Sequence, residues 1–147
     1  MKKMPTHVHG VVDYVVGATL AILPRALGWS GAPARLLEGA GAGAIAYSLM
    51  TNYELGVVRV LPMKAHLALD ALSGGMLIGA AAMLDDEDDD VRATLAGIGL
   101  FEIAAALTSQ TTSPTEMESN ATRADRSTAA DESHQIASAE TGVPTST

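Results

Sequence analysis

Two stretches of the chain decide its fold: PTHVHGVVDYVVG at residues 5–17 and PMKAHLALDALSG at residues 62–74. They share Pro, His, Asp and Gly at the same four positions, 57 residues apart. Steps of four residues place the His, Asp and Gly of each stretch on one side of a helix. The sequence therefore predicts two copies of one helical unit, at about residues 2–51 and 59–108.

Four long apolar segments occupy most of the first 108 residues. They run over residues 8–27, 34–50, 65–84 and 91–107. Each just reaches the length that a helix needs to cross the hydrocarbon core of a bilayer. Apolar side chains cover most sides of these segments, whereas a surface helix of a soluble bundle shows a polar stripe. The sequence predicts an all-α fold with four transmembrane helices, arranged as two repeated helical hairpins.

The last part of the chain differs from the first in composition. Residues 111–147 are rich in Ser and Thr, carry more acids than bases and show no hydrophobic periodicity. Such a segment buries too little apolar surface to offset the entropy of ordering. We therefore expect one transmembrane domain over residues 1–110 and a disordered cytoplasmic tail over 111–147.

Charge and composition exclude several classes of protein. The chain has 17 acidic and 9 basic side chains, a net charge of −8, which argues against a nucleic-acid partner. It contains no cysteine, so disulfides and thiolate metal sites are excluded. The expected partners are the lipid bilayer and further copies of the same chain. Basic side chains near the spans favour the side of the termini, which predicts cytoplasmic termini in a plasma membrane of bacterial type.

The repeated His-Asp pairs, His9 with Asp13 and His66 with Asp70, are the first candidate functional residues. Ionisable groups inside a bilayer are costly and usually face a partner within the bundle. If the repeat brings the first and third helices together, two imidazoles and two carboxylates meet. They would then be polar contacts that lock the helices, a proton relay or a divalent-metal site.

These interpretations of the His-Asp pairs leave three possible functions of the protein. The leading hypothesis is a non-enzymatic structural or interaction bundle held by the His-Asp pairs, without a cofactor. The alternatives are a small proton or ion transporter and a metal-dependent membrane enzyme. We identify no complete set of catalytic residues in the sequence, because the spans offer few serines and no base beside them.

Glu102 is the acid predicted to lie deepest in the membrane. We expect it to stay neutral or to bond a neighbour such as Tyr47, with a proton-carrying carboxyl as the alternative. Glu38 stands early in the second apolar segment. It is expected to form an interfacial ion pair with Arg35 or Arg92.

Glu54 and Lys64 are two further charged residues expected at the membrane interface. Glu54 follows the second apolar segment, and we expect it to pair with Arg59. Lys64 precedes the third segment and is expected to add a polar contact beside His66 and Asp70 that locks the helices.

Part of the chain resembles the SPW (Ser-Pro-Trp) repeat family of small bacterial membrane proteins. The resemblance covers roughly residues 5–114, and three segments carry it: VHGVVDY at 8–14, YSLMTNYELG at 47–56 and LPMKAHLALD at 61–70. The tripeptide that names the family is degenerate here, with LPR at 23–25 followed by Trp29, and AAA at 80–82. The resemblance implies a membrane protein of two hairpins and no particular activity.

Overall fold

The chain folds into five α-helices in a computed structural model that describes residues 3–141. The helices are α1 (Thr6–Ala26), α2 (Gly31–Met50), α3 (Met63–Met83), α4 (Asp89–Thr108) and α5 (Pro114–Thr141). Two prolines, Pro5 and Pro62, stand at the N-caps of α1 and α3. A proline lacks an amide proton and fixes its own φ, so it marks the start of a helix without loss of a backbone hydrogen bond.

The prediction of four transmembrane helices in two hairpins, followed by a disordered tail, is wrong. The structure has five helices, and three of them, α1, α3 and α4, are long and apolar enough to cross a membrane. Helix α2 is long enough to cross a membrane, but its composition is not apolar enough. It carries Arg35, Glu38 and Tyr47 and many small residues in place of branched aliphatic ones, which lowers its hydropathy.

Residues of the predicted disordered tail form α5. Ser113 accepts a hydrogen bond from the amide of Glu116 at 3.0 Å, and Pro114 takes the first helical position. This is the Ser-x-x-Glu pattern of a helix N-terminus. Helix α5 is exposed along nearly all of its described length, so its sequence needs no apolar periodicity. Residues 142–147 of the predicted tail lie outside the described residues.

Close approaches at glycine organise the packing of the helices. Helix α1 packs chiefly against α2, and α3 chiefly against α4. A Cβ atom at Gly74 would collide with the carbonyl oxygen of Gly99, and a Cβ at Gly99 with that of Gly74. Gly17 and Gly41 form the corresponding contact between α1 and α2. Small residues at such crossings let backbones pack directly, as in membrane helix pairs.

The 57-residue repeat is visible in the backbone around the helix ends. Met4, just before α1, forms a parallel bridge with Ser109, just after α4. Leu61, the residue equivalent to Met4, forms a parallel bridge with Thr51, just after α2. Each bridge ties the start of one helix of a repeat to the end of another helix. The N-termini of α1 and α3 and the C-termini of α2 and α4 therefore lie at the same end of the bundle.

The interior of the bundle is apolar at one end and polar at the other, and many aliphatic side chains lie on its outer surface. One end contains an apolar core of Leu20, Leu37, Leu77, Ala81, Val91 and Leu95. The other end buries histidines, acids and hydroxyl side chains. On the outer surface, Val15, Leu72 and Leu100 are each about 60% exposed. A water-soluble protein rarely leaves so much aliphatic surface uncovered, so this arrangement matches a hydrocarbon surrounding.

The glycine contact gives a test of the packing. Gly74→Leu should force α3 and α4 apart and lower the free energy of unfolding by about 1–3 kcal/mol, the usual cost of overpacking. Gly75→Leu is the matched control, because no atom lies within 4 Å of a Cβ at that position. The free energy of unfolding of both variants is measured in mixed detergent micelles, with circular dichroism as the probe of helix content. Equal losses in the two variants would contradict the close approach.

Candidate metal centre

Helices α1 and α3 each present a histidine and an aspartate one turn apart, and these four side chains meet. His9 and His66 are fully buried, and Asp13 and Asp70 are 8% and 5% exposed. One ligand atom from each residue lies within 4.8 Å of all the others. The four-residue spacing places the histidine and the aspartate of each pair on one face of their helix. Because the two copies of the repeat have the same spacing, the two pairs lie at the same level along the bundle.

The contacts within this His-Asp cluster are reciprocal. His9 Nε2 lies 3.0 Å from Asp70 Oδ2, and His66 Nε2 lies 3.0 Å from Asp13 Oδ2. Each imidazole is also 3.4 Å from the aspartate of its own helix. The two Nε2 atoms are 3.2 Å apart. The closest contacts therefore cross between the helices, so the cluster joins α1 to α3.

Two hydroxyl groups fix the tautomers of the imidazoles. His9 Nδ1 lies 2.8 Å from Ser109 Oγ, and His66 Nδ1 lies 2.8 Å from Thr51 Oγ1. Each hydroxyl also donates its single proton to the carbonyl oxygen four residues earlier, at 2.7 and 2.6 Å. The hydroxyl oxygens must therefore accept from the imidazoles, which places a proton on both Nδ1 atoms. In the neutral imidazoles both Nε2 atoms are unprotonated.

This proton arrangement makes the centre of the cluster a set of acceptors. Two Nε2 lone pairs and two carboxylates face one another in a buried space, where like groups repel strongly. A proton on one Nε2 would serve a neighbouring carboxylate, as the 3.0 Å distance from His9 Nε2 to Asp70 Oδ2 permits. Protonation of both imidazoles would place two cationic N–H groups 3.2 Å apart. One metal cation at the centre would satisfy all four groups at once.

The spacing of the candidate ligand atoms is compatible with one bound metal ion. Nitrogen and oxygen ligands bound about 2.0–2.1 Å from a tetrahedral ion are separated from each other by about 3.3 Å. Four distances between Nε2 atoms and carboxylate oxygens are 3.0–3.4 Å, and the two Nε2 atoms are 3.2 Å apart. Asp13 approaches His9 with Oδ1 and His66 with Oδ2, and one ligand atom from each of the four residues lies within 4.8 Å of the others. The His-Asp cluster can therefore hold one metal ion.

Hydrogen bonds from α2 orient the aspartates. Tyr47 donates to Asp70 Oδ1 at 2.6 Å, the oxygen that faces away from the imidazoles. Ser48 Oγ lies 3.5 Å from Asp13 Oδ2. Outer hydrogen bonds of this kind fix the ligand orientation in metal sites and tune ligand basicity. Each of the four side chains thus has a polar neighbour outside the centre of the cluster.

Tyr53 covers the cluster at the end of the bundle where α1 and α3 begin. Its side chain is fully buried, and its ring centroid lies 5.8 Å from that of His66. The ring packs so closely on Gly10 that a Cβ atom there would collide with it. Burial raises the pKa of the Tyr53 hydroxyl, which keeps it neutral. The ring therefore lies beside the His66 imidazole at this end of the bundle.

Glu102 on α4 is buried beside the cluster but is not bonded as predicted. The Tyr47 hydroxyl, its expected partner, donates to Asp70 instead. Glu102 Oε2 is buried and has no hydrogen-bond partner among residues 3–141. A small cavity of about 20 Å³ is lined by Glu102, Asp13 and Asp70. That volume accommodates about one water molecule.

Two of the remaining charged candidates have partners other than those expected. Glu38 pairs with Arg25 at 3.2 Å rather than with Arg35 or Arg92. The Thr6 hydroxyl donates its proton to the carboxylate of Glu54, lying 2.7 Å from Oε2 and 3.0 Å from Oε1, and Glu54 forms no ion pair with Arg59.

Lys64 and Arg92 also depart from the contacts expected of them. Lys64 is exposed beside Lys3 in a surface groove and does not join the His-Asp cluster. Arg92 lies near the carboxylates of Asp85 and Asp89 at the end of the bundle opposite that cluster.

Sequence reasoning missed the two hydroxyl residues that hold the imidazoles. Thr51 and Ser109 are the C-cap residues of α2 and α4. They are 58 residues apart, one position out of register with the 57-residue repeat, so the alignment of the two copies does not pair them. The sequence did contain one indication of this role: a hydroxyl residue follows the second helix in each copy of the repeat.

Comparison with known proteins identifies no relative of this chain. No family model matches it, and no curated protein or solved structure gives a significant match. The resemblance to the SPW repeat family therefore stays a prediction, and the chemistry of the site rests on its own geometry.

The outer hydroxyl contacts give a direct test. Thr51→Val keeps the shape of the side chain but leaves the buried His66 Nδ1–H without an acceptor, at a cost of about 1–3 kcal/mol in the free energy of unfolding. Thr108→Val is the matched control, because the Thr108 hydroxyl is exposed and bonds only to its own helix. Chemical denaturation in detergent compares the two. A loss no larger for Thr51 than for Thr108 would refute the assigned tautomer.

Proposed function

We propose that this chain is a multi-pass membrane protein whose bundle is joined by one divalent transition-metal ion. The ion binds His9 and Asp13 of α1 and His66 and Asp70 of α3. The observation that carries the proposal is the meeting of these four buried side chains, with one possible ligand atom from each within 4.8 Å of the others.

The ligand set favours a metal of the zinc class. Two imidazole nitrogens and two carboxylate oxygens suit Zn²⁺, Fe²⁺, Co²⁺ or Ni²⁺, and a set of four protein ligands is usual for structural Zn²⁺. No sulfur ligand is available, since the chain lacks cysteine and the four ligand residues contain none. Ions such as Ca²⁺ require more oxygen ligands than the cluster offers.

The enclosure of the cluster supports a structural role for the metal. Four protein ligands fill a tetrahedral shell, whereas catalytic zinc sites keep a position open for water. All four residues are buried, and the Tyr53 ring packs on Gly10 and lies beside His66. The metal-bound bundle is therefore a structural or interaction module rather than an enzyme.

The distribution of apolar surface supports placement in a lipid bilayer. Three helices have the length and composition of membrane spans, and their aliphatic side chains point outward. Lys3, Arg59 and Lys64 lie at the end of the bundle that carries the metal cluster. Because cytoplasmic flanks are enriched in Lys and Arg, we place this end on the cytoplasmic side of a bacterial-type plasma membrane.

Metal analysis of the purified protein tests the proposal. The wild-type chain should carry one zinc-class ion, and His9→Ala or His66→Ala should abolish its retention. Chelation should lower the thermal midpoint of the wild type by roughly 10 °C or more, because a ligand of the folded state is removed.

His7→Ala is the matched control for these variants. His7 lies two residues from His9, is exposed and is not part of the His-Asp cluster. The His7→Ala variant should retain the metal, and chelation should lower its thermal midpoint as it does for the wild type. Metal loss in the control, or no stoichiometric metal in the wild type, would overturn the proposed function.

A second candidate function is transfer of protons or cations through the cluster. The unpartnered Glu102 Oε2 and the cavity that it shares with Asp13 and Asp70 favour it, because a carboxyl beside a water-sized space can exchange a proton. In proteoliposomes loaded with a pH-sensitive dye, Glu102→Gln should then abolish proton flux. Glu38→Gln, which changes an acid at the opposite end of the bundle, should not. Absence of flux in the wild type would eliminate this candidate.

A further inference from the structure

A basic groove lies between α5 and the connection from α2 to α3. It encloses about 480 Å³ and is lined by Arg59 of the connection and by Arg123 and Arg126 of α5. The other lining residues are three hydroxyl side chains and one acid: Thr115, Ser119, Thr122 and Glu118. This groove is separate from the His-Asp cluster and shares no residue with it.

The guanidinium groups of this basic groove have no anionic partner in the structure. None of the three arginines forms an ion pair within residues 3–141, and Arg59 uses only its Nε, which donates to Gly56 O at 3.2 Å. The hydroxyls of Ser119 and Thr122 donate to carbonyls of α5 itself. The free donors are therefore guanidinium N–H groups, the donors that bind phosphate in a bidentate manner.

The basic groove is fixed at the ends of the membrane helices. Ser113 donates to Asn52 O at 2.5 Å, and the amide of Met63 donates to Glu116 at 3.4 Å. These bonds join the first turn of α5 to the connection and to the start of α3. Because α3 is one of the candidate spans, its N-terminus lies where phospholipid headgroups begin.

Exposed valines surround Arg59 in the connection. Val57, Val58 and Val60 are 73%, 60% and 63% exposed. Their amides donate to the carbonyls of the last residues of α2, so the connection is held firmly. Arg59 has a φ of 55°, a left-handed conformation that is rare for a residue other than glycine. Apolar side chains on both sides of a cation suit the boundary between acyl chains and headgroups.

We propose that Arg59, Arg123 and Arg126 bind the phosphate of an anionic phospholipid. The three arginines and one glutamate leave the basic groove with two net positive charges, which favours a lipid that is negative overall above a zwitterionic one. The valines enter the acyl boundary and hold Arg59 at phosphate level, while α5 supplies the other two guanidinium groups. The inference rests on the membrane placement proposed above and is independent of the metal.

Lipid titration of the purified, delipidated protein in mild detergent tests the assignment. The probes are dihexanoyl phosphatidylglycerol, dihexanoyl phosphatidylcholine and inorganic phosphate, and the readouts are the thermal midpoint and retained lipid in native mass spectrometry. Phosphatidylglycerol should raise the midpoint in a saturable manner. Its apparent affinity should fall about tenfold or more in R123Q/R126Q, because two charge-assisted contacts are lost.

Arg35→Gln is the control, because Arg35 is an exposed arginine near the start of α2, at the opposite end of the bundle. It should bind phosphatidylglycerol as the wild type does. Circular dichroism without lipid should be the same for all variants, since the changed side chains are exposed. Equal binding of phosphatidylcholine, saturation by inorganic phosphate at the same concentration, or undiminished binding by R123Q/R126Q would overturn the proposal. Failure of the membrane placement itself would appear separately, as recovery of the wild-type protein in the soluble fraction without detergent.

Discussion

The structure depends on one electrostatic constraint: two imidazoles and two carboxylates meet inside the bundle, buried from bulk solvent. Two hydroxyls hold the Nδ1 protons of His9 and His66, so both Nε2 lone pairs face each other and the carboxylates of Asp13 and Asp70. Buried like groups are costly unless a counter-charge satisfies them. In the proposed function, a central cation would turn this repulsion into the contact that joins α1 to α3, which otherwise have little direct backbone contact.

The sequence alone predicted the residues of the His-Asp cluster but not the hydroxyl residues that hold the imidazoles. The four-residue spacing of His and Asp, repeated 57 residues later, follows directly from helix geometry and needs no tertiary information. Thr51 and Ser109 were beyond this reasoning because a hydroxyl after a helix usually serves only its own backbone. Their role depends on the bridges that place the end of each helix beside an imidazole of another.

Two elements differ from the predicted architecture for opposite reasons. Helix α2 was predicted as a span from its length, but its charges and small residues give it a lower hydropathy than the three candidate spans. Helix α5 was predicted as disordered because it lacks a buried face. It is formed by a capped N-terminus and local helix propensity, which a search for hydrophobic periodicity does not detect.

X-ray absorption at the metal edge of the purified protein tests the central claim most directly. The account predicts one ion per chain with a first shell of four nitrogen and oxygen ligands at about 2.0–2.1 Å, including the multiple-scattering signature of two imidazoles. His9→Ala should remove this signal. A six-coordinate shell rich in water, or a spectrum unchanged by His9→Ala, would show that the ion lies elsewhere and contradict the account.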